Sequence, residues 1–190
     1  MIGKALQFTQ SILDQFLRNR FGLDESIVIL NNIVDSTGSP PSENQNKVVL
    51  SLINIEKETL KPFYNKNQRH SNGLFADSNP SERYNLDLLV SANFEDYHET
   101  LKFLGASMLF FQVNPCLDSG SSGEIPAGTN KLEFDIEKLT YHQMHSLWTA
   151  MGAKYQPSVI YKMRLITLQG NEPEGYSTSV TSVSANMVHT

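Results

Sequence analysis

The sequence predicts an α/β (α+β) fold, a mixed sheet of about five strands flanked by about three helices. Apolar residues recur at three- and four-residue spacing near 2–17, 97–111 and 144–151, as in amphipathic helices. Apolar and polar residues alternate over 84–91 and 131–137, as in half-buried strands. The resulting order is α-β-β-β-α-β-α-β, and nothing in the 190 residues requires a second domain.

The N-terminal quarter is predicted to hold one helix and two strands. The helix ends before Gly22, a residue typical of helix C-termini. A short β-branched segment, 26–30, predicts a buried strand. The Ser-, Pro- and Asn-rich segment 36–46 predicts a loop, and 48–56 predicts the second strand.

The middle of the chain combines a long irregular segment with a clear strand. Residues 57–83 show no sustained period, and loops of that length tend to be functional or disordered. The third strand covers 84–91. We expect the first three strands to pair as an antiparallel meander.

The second helix is predicted from its apolar stripe. We expect Asn93 to cap it and the pair at 114–115 to end it, because the residue before a proline is disfavoured in a helix. Its last turns, 107–111, are apolar nearly all round, so this end is either deeply buried or covered by another chain. The predicted core stripe consists of Tyr97, Leu101, Leu104, Met108 and Phe111.

The C-terminal elements are a loop over 116–130, a strand over 131–137, a helix and a strand over 159–168. Thr140 and Gln143 have the spacing of a capping box, which predicts a helix that runs through Met151 and is closed by Gly152. Trp148 is expected to anchor this helix on the sheet.

The last two predicted helices have the position of crossover connections between strands. In the final strand, alternation sends Val159, Tyr161, Met163 and Leu165 to one face of the sheet. Lys162 and Arg164 face the other side, where the acidic row Glu133, Asp135 and Glu137 is available to them.

Composition excludes several classes of protein. Acidic residues exceed basic ones, 20 to 15, whereas non-specific nucleic-acid binding needs clustered Lys and Arg. The single cysteine, Cys116, excludes an intramolecular disulfide and a cysteine-based zinc site. Residues 1–19 lack the pattern of a signal peptide, and the longest apolar run is far too short to span a membrane.

Few residues suggest catalysis. His142 and His145 lie three apart, a spacing that two metal ligands can share, but no third ligand is supplied nearby and surface histidines are the simpler interpretation. The flanks of Cys116 match no nucleophile motif. No GxSxG, P-loop or GxGxxG pattern occurs, so we predict no catalytic, cofactor-binding or metal residues and no enzymatic activity.

Four segments in order resemble a bacterial family. They are MIGKALQFTQSILDQFL (1–17), VVLSLINIEKE (48–58), YNLDLLVSANFEDYHETLKFLGASMLFFQ (84–112) and LWTAMGAKYQPSVIYKMRLITL (147–168). Together they resemble the N-terminal domain of the tail-terminator, or cap, proteins of extracellular contractile injection systems. These are phage-tail-like particles such as the antifeeding prophage and the Photorhabdus virulence cassettes. The approach to the third strand, SNPSERY (78–84), departs from the family, which often has an apolar or Pro-rich segment there.

The resemblance implies a tail-terminator-like fold and a structural role. The protein would form a ring, expected to be hexameric, that ends the inner tube and holds the last sheath layer, without a cofactor. Its partners would be further copies of itself and the sheath and tube subunits, with no nucleic acid and no membrane-spanning segment. It would be made in the bacterial cytoplasm and belong to an assembled particle, released or cell-associated.

The same resemblance suggests domain bounds and interface residues. We expect one domain over 1–168 and a Ser/Thr-rich extended tail over 169–190 that becomes ordered only on assembly. An adaptor or baseplate-side module of the same particle is an alternative function, and an enzyme with an unrecognised site is a third. The candidate contacts with other subunits, sheath or tube are Met108, Phe110, Phe111, Val180, Val183 and Val188.

Overall fold

The chain forms a six-stranded mixed sheet with helices on both faces and a separate three-stranded sheet. The computed structural model describes residues 2–58, 67–69, 74–78, 82–118, 131–168 and 173–178. Its helices are α1 (Ile2–Phe21), α2 (Tyr97–Val113) and α3 (Tyr141–Met151). Its strands are β1 (Val28–Leu30), β2 (Lys47–Lys57), β3 (Asn67–Arg69), β4 (Leu74–Ser78), β5 (Glu82–Asn93), β6 (Cys116–Asp118), β7 (Lys131–Glu137), β8 (Ser158–Leu168) and β9 (Pro173–Thr178).

The larger sheet has the strand order β1-β2-β5-β8-β7-β6, and the predicted mixed sheet is confirmed with one strand more than expected. The predicted meander is wrong at its first step, because β1 pairs with β2 in parallel. The connection over 31–46 is long enough to return across the sheet, as a parallel pair requires. Neither α2 nor α3 makes a parallel crossover: β5 to β8, β8 to β7 and β7 to β6 are all antiparallel pairs.

The smaller sheet has the order β3-β4-β9, with both pairs antiparallel. Strands β3 and β4 lie in the segment 57–83, for which a loop was predicted, so that prediction is wrong over these residues. Strand β9 comes from the predicted tail. Each of these strands is six residues or fewer, too short for periodicity to identify.

Helices α1 and α2 cover one face of the larger sheet and form its main core. Buried leucines from α1 meet Leu50, Leu86 and Leu88 from the central strands. Between helix and sheet, Phe111 stacks on Tyr161 with 4.2 Å between ring centroids, and Phe110 lies edge-on to Phe111 at 5.0 Å. Such aromatic pairs add about 1 kcal/mol each beyond their burial.

The middle of α1 is fixed to the start of β1 by one carboxylate. Oδ1 of Asp14 accepts hydrogen bonds from the backbone N–H of Ile27 and of Val28, at 2.7 and 2.9 Å, and from the Ser26 hydroxyl at 2.9 Å. Gly22, with φ of +63°, closes the helix as predicted. A side chain of α1 itself therefore fixes the turn between α1 and β1.

Helix α3 lies on the opposite face of the sheet. Its capping box between Thr140 and Gln143 is present, and Gly152 ends it with φ of +67°, as predicted. Trp148 packs onto the sheet in a cluster with Val49 and Leu89, so the prediction that it anchors the helix is confirmed. It is the one fully buried side chain of α3.

This second face also carries a group of charged residues. Arg164 Nε lies 2.8 Å from Asp135 Oδ2, and Lys162 Nζ donates to Glu56 at 3.0 Å. Lys162 also lies 3.9 Å from Asp87. The prediction that these two cations meet acidic neighbours across the sheet is confirmed, since Asp135 belongs to the expected acidic row.

Candidate interaction surfaces

The predicted core stripe of α2 is wrong in most of its members. Tyr97, Leu101 and Met108 are 62%, 46% and 41% exposed, although Phe111 is buried. The residues that face the core lie about a third of a turn away and are Thr100, Phe103, Ala106, Ser107, Phe110 and Phe111. Helix α2 therefore turns an apolar row outward.

Two hydroxyl residues explain why the pattern misleads. The Thr100 side chain donates to the Asp96 carbonyl at 3.2 Å, and the Ser107 side chain donates to the Phe103 carbonyl at 2.8 Å. Because both hydroxyls are satisfied within the helix, they are buried at little cost. The cap also differs from the prediction: Asp96 accepts from the His98 N–H, while Asn93 ends β5.

We call the row formed by Tyr97, Leu101, Leu104 and Met108 the α2 face. These positions follow the i, i+4, i+7, i+11 spacing of one helix side and extend about 16 Å. Gly105 lies beside them with open space around it. An exposed apolar row of this kind on a helix is typical of a contact surface.

The six predicted interface residues fall in three different environments. Met108 lies on the α2 face. Phe110 and Phe111 are 1% and 2% exposed, so they are core residues of this chain and are not available to a partner in this fold. The remaining residues, Val180, Val183 and Val188, lie outside the described residues.

The residues considered for catalysis do not form one cluster. Cys116 lies on β6, the strand at one edge of the larger sheet, whereas His142 and His145 are exposed on α3. Within the part of the chain that the structure describes, no group of three His, Cys, Asp or Glu side chains is arranged to hold a metal ion.

A second candidate surface, which sequence reasoning missed, is a groove of about 600 Å³ beside α3. We call it the α3 groove. Only one of the residues considered for catalysis, His145, contributes to it. Its lining is mainly apolar and aromatic and consists of Leu139, Thr140, Tyr141, Met144, His145, Trp148, Thr149, Ala153 and Tyr155. The signal in the sequence that could have pointed to this groove is the pair Tyr141 and Tyr155, which lie seven residues on either side of the single tryptophan.

Among the helices that the structure describes, none is long and apolar enough to cross a membrane.

Comparison with known proteins identifies a family and solved structures with a similar fold. A family model described as the Pvc16 N-terminal domain matches residues 9–182. A search of curated proteins gives no match. The chain is similar to a PVC sheath/tube terminator from an extracellular contractile injection system in its extended state, with 13% identity and a TM-score of 0.68. It is also similar to the tube-terminating cap of the anti-feeding prophage, with 11% identity and a TM-score of 0.61.

These likenesses extend over nearly all of this chain but only part of the other proteins. The aligned region covers 100% of this chain and 64% of the PVC terminator. For the anti-feeding prophage cap, the corresponding shares are 94% and 60%. The chain thus spans less than two thirds of the length of either protein, and the comparison establishes a shared fold.

Proposed function

The chain belongs to the Pvc16 N-terminal domain family, as its sequence resemblance predicted, and we propose that it is a tail terminator, or cap, of a contractile injection system. In this role it ends the inner tube and holds the last sheath layer. The observation that carries the proposal is the fold shared over the whole chain with a protein described as a sheath/tube terminator. The function is structural and uses no cofactor or catalytic residue.

The proposed assembly is a closed ring of identical subunits. A ring on the end of a tube needs head-to-tail interfaces that close, and such interfaces have an apolar centre and a polar rim. The α2 face supplies such an apolar centre. We assign the α2 face, including Met108, to a contact in the assembled particle and propose a hexameric ring.

The proposed partners and location follow from that role. The ring contacts further copies of this chain, sheath subunits and inner-tube subunits, and nucleic acid has no part in it. The protein is made in the bacterial cytoplasm and becomes part of a particle. We propose that residues 169–190 act as an extended segment that becomes fully ordered only on assembly.

Particle assembly in a deletion strain tests the function. Without this protein we expect particles of uncontrolled length, or none, and normal particles when the gene is restored. Electron microscopy of the restored particles should show the protein at the end of the tube distal to the baseplate. Density at the baseplate end would instead indicate an adaptor module, and normal capped particles from the deletion strain would contradict a terminator.

A further inference from the structure

The α3 groove lies in a part of the chain that has no carboxylate side chains. The chain contains 20 Asp and Glu residues and has a net charge of −5, yet the stretch 138–168 contains none of them. All residues that line the groove come from this stretch. None of the residues that line the groove is therefore acidic, although the protein as a whole is.

The floor and sides of the groove have the composition of a recognition site. Trp148 lies at its base, edge-on to Tyr155 at 5.5 Å between ring centroids, and its indole N–H is 3.2 Å from the sulfur of Met144. Tyr141 and Tyr155 are 97% and 64% exposed beside this base. Exposed tyrosines around a buried tryptophan and a pliable methionine are typical of contact hot spots.

Two lysines adjoin the lining. Lys138 precedes Leu139, and Lys154 lies between Ala153 and Tyr155 and borders the adjoining cleft. Both side chains are exposed, and neither makes an ion pair with a described residue. Their charges are therefore available to a partner, and they favour a negatively charged one.

We propose that the α3 groove binds an extended peptide segment of a partner protein, with an apolar or aromatic side chain seated beside Trp148 and flanking carboxylates facing Lys138 and Lys154. An open groove of this volume accommodates one or two large side chains of such a segment. A symmetric contact with a second copy of this groove is disfavoured, because it would bring the lysines of both copies together. The α3 groove is a different surface from the α2 face. The binding is expected for the isolated protein, without an assembled particle.

The test uses the intrinsic fluorescence of Trp148, the single tryptophan of the chain. The probe is a short synthetic peptide with a central leucine–phenylalanine pair flanked by aspartates. Two matched peptides replace either the aspartates by lysines or the central pair by serines. We expect the acidic peptide to change the Trp148 emission in a saturable, salt-sensitive way, and both matched peptides to bind at least about tenfold more weakly.

Three variants locate the binding. Tyr141→Ser and Lys154→Glu should each weaken binding of the acidic peptide, by about tenfold and severalfold respectively. Tyr97→Ser replaces another exposed tyrosine, on the α2 face, and as the control substitution it should leave binding unchanged. All three positions are exposed, so folding is expected to be unaffected.

Other outcomes overturn the proposal. Equal binding of the lysine-flanked peptide would exclude the charge argument, and absence of saturable binding of the acidic peptide would exclude the groove as a peptide site. Concentration-dependent self-association that Tyr141→Ser abolishes would assign the groove to a second copy of the chain. None of these results depends on particle assembly, so a failure of the terminator proposal and a failure of this one are distinguishable.

Discussion

The Asp14 carboxylate accepts a 2.7 Å hydrogen bond from the backbone N–H of Ile27, and this contact joins the middle of α1 to the start of β1. The same oxygen accepts from the Val28 N–H at 2.9 Å. Removing the acceptor leaves two backbone donors unpaired in a largely buried region, so Asp14→Ala should lower the free energy of unfolding by about 3 kcal/mol. Chemical denaturation measures this value. Asp14→Asn keeps an acceptor oxygen and should lose less; an Asp14→Ala protein as stable as the parent would contradict the assignment.

The core role of Phe111 is tested against its neighbour on the same helix. Phe111 stacks on Tyr161 and contacts Phe134, so Phe111→Ala should cost about 3–5 kcal/mol of unfolding free energy. Met108→Ala, on the exposed side, should cost less than about 1 kcal/mol. Urea denaturation measures the unfolding free energy of both variants. Equal decreases would show that α2 does not turn Phe111 inward and Met108 outward.

The α2 face is tested by placing a charge in its centre. Leu101→Asp should leave the melting temperature of the isolated chain within a few degrees of the parent but prevent ring or particle assembly, because an unpaired carboxylate would be buried at the contact. Gln15→Asp, on the exposed side of α1, adds the same charge elsewhere and should assemble normally. Normal assembly of Leu101→Asp would remove the α2 face from the interface.

The tail is tested by two truncations. Deleting 169–190 removes β9 from the smaller sheet, whereas deleting 179–190 leaves β9 in place. Because β9 pairs with β4 and not with the larger sheet, both proteins should keep the cooperative unfolding of the larger sheet. We expect both to give fewer particles by electron microscopy, and full particle yield from the longer truncation would contradict a role in assembly.

The hydrogen bond between Lys162 and Glu56 has a defined pH dependence. That bond, followed by the nearby charge of Asp87, raises the pKa of Lys162. A raised lysine pKa stabilises the fold at every pH below the ordinary value of about 10.4 and loses this effect as the pH rises through the folded-state value. Glu56→Gln should therefore be less stable at neutral pH, by less than about 1 kcal/mol because Glu56 is largely exposed.

Denaturation of the parent and of Glu56→Gln at several pH values measures that difference. It should be constant from about pH 7 to pH 9 and should shrink at higher pH as Lys162 loses its proton. If the stability difference between the two proteins instead grew as the pH rises, the Glu56 hydrogen bond would not be the cause of the raised Lys162 pKa.

Sequence patterns identified the elements whose signals are local. Thr140, Gln143 and Gly152 bracket α3 by capping chemistry, which depends on neighbours in the chain. The strand over 131–137 was predicted with its observed bounds, because its alternation is uninterrupted. Lys162 and Arg164 were placed on the correct face for the same reason.

The errors arise where a decision depends on distant contacts. On α2, apolar residues surround the last turns, so periodicity does not choose between the Leu101 side and the Phe103 side. The choice is made by the aromatic rings of α1 and β8, which pack against Phe110 and Phe111. The direction of β1 was missed because it depends on the route of the connection over 31–46, which composition describes only as a loop.

The way α3 is attached has a consequence for its motion. Trp148 is the one buried residue of the helix, whereas Leu147 and Met151 are only partly buried and border an open cleft on its other flank. A helix attached this way opens locally at a free energy below that of global unfolding, so its amide hydrogens should exchange with solvent ahead of those of β5 and β8. Any molecule seated in the α3 groove would slow that exchange in proportion to its occupancy. The rate of amide exchange in residues 144–151 therefore reports whether the α3 groove is empty or occupied.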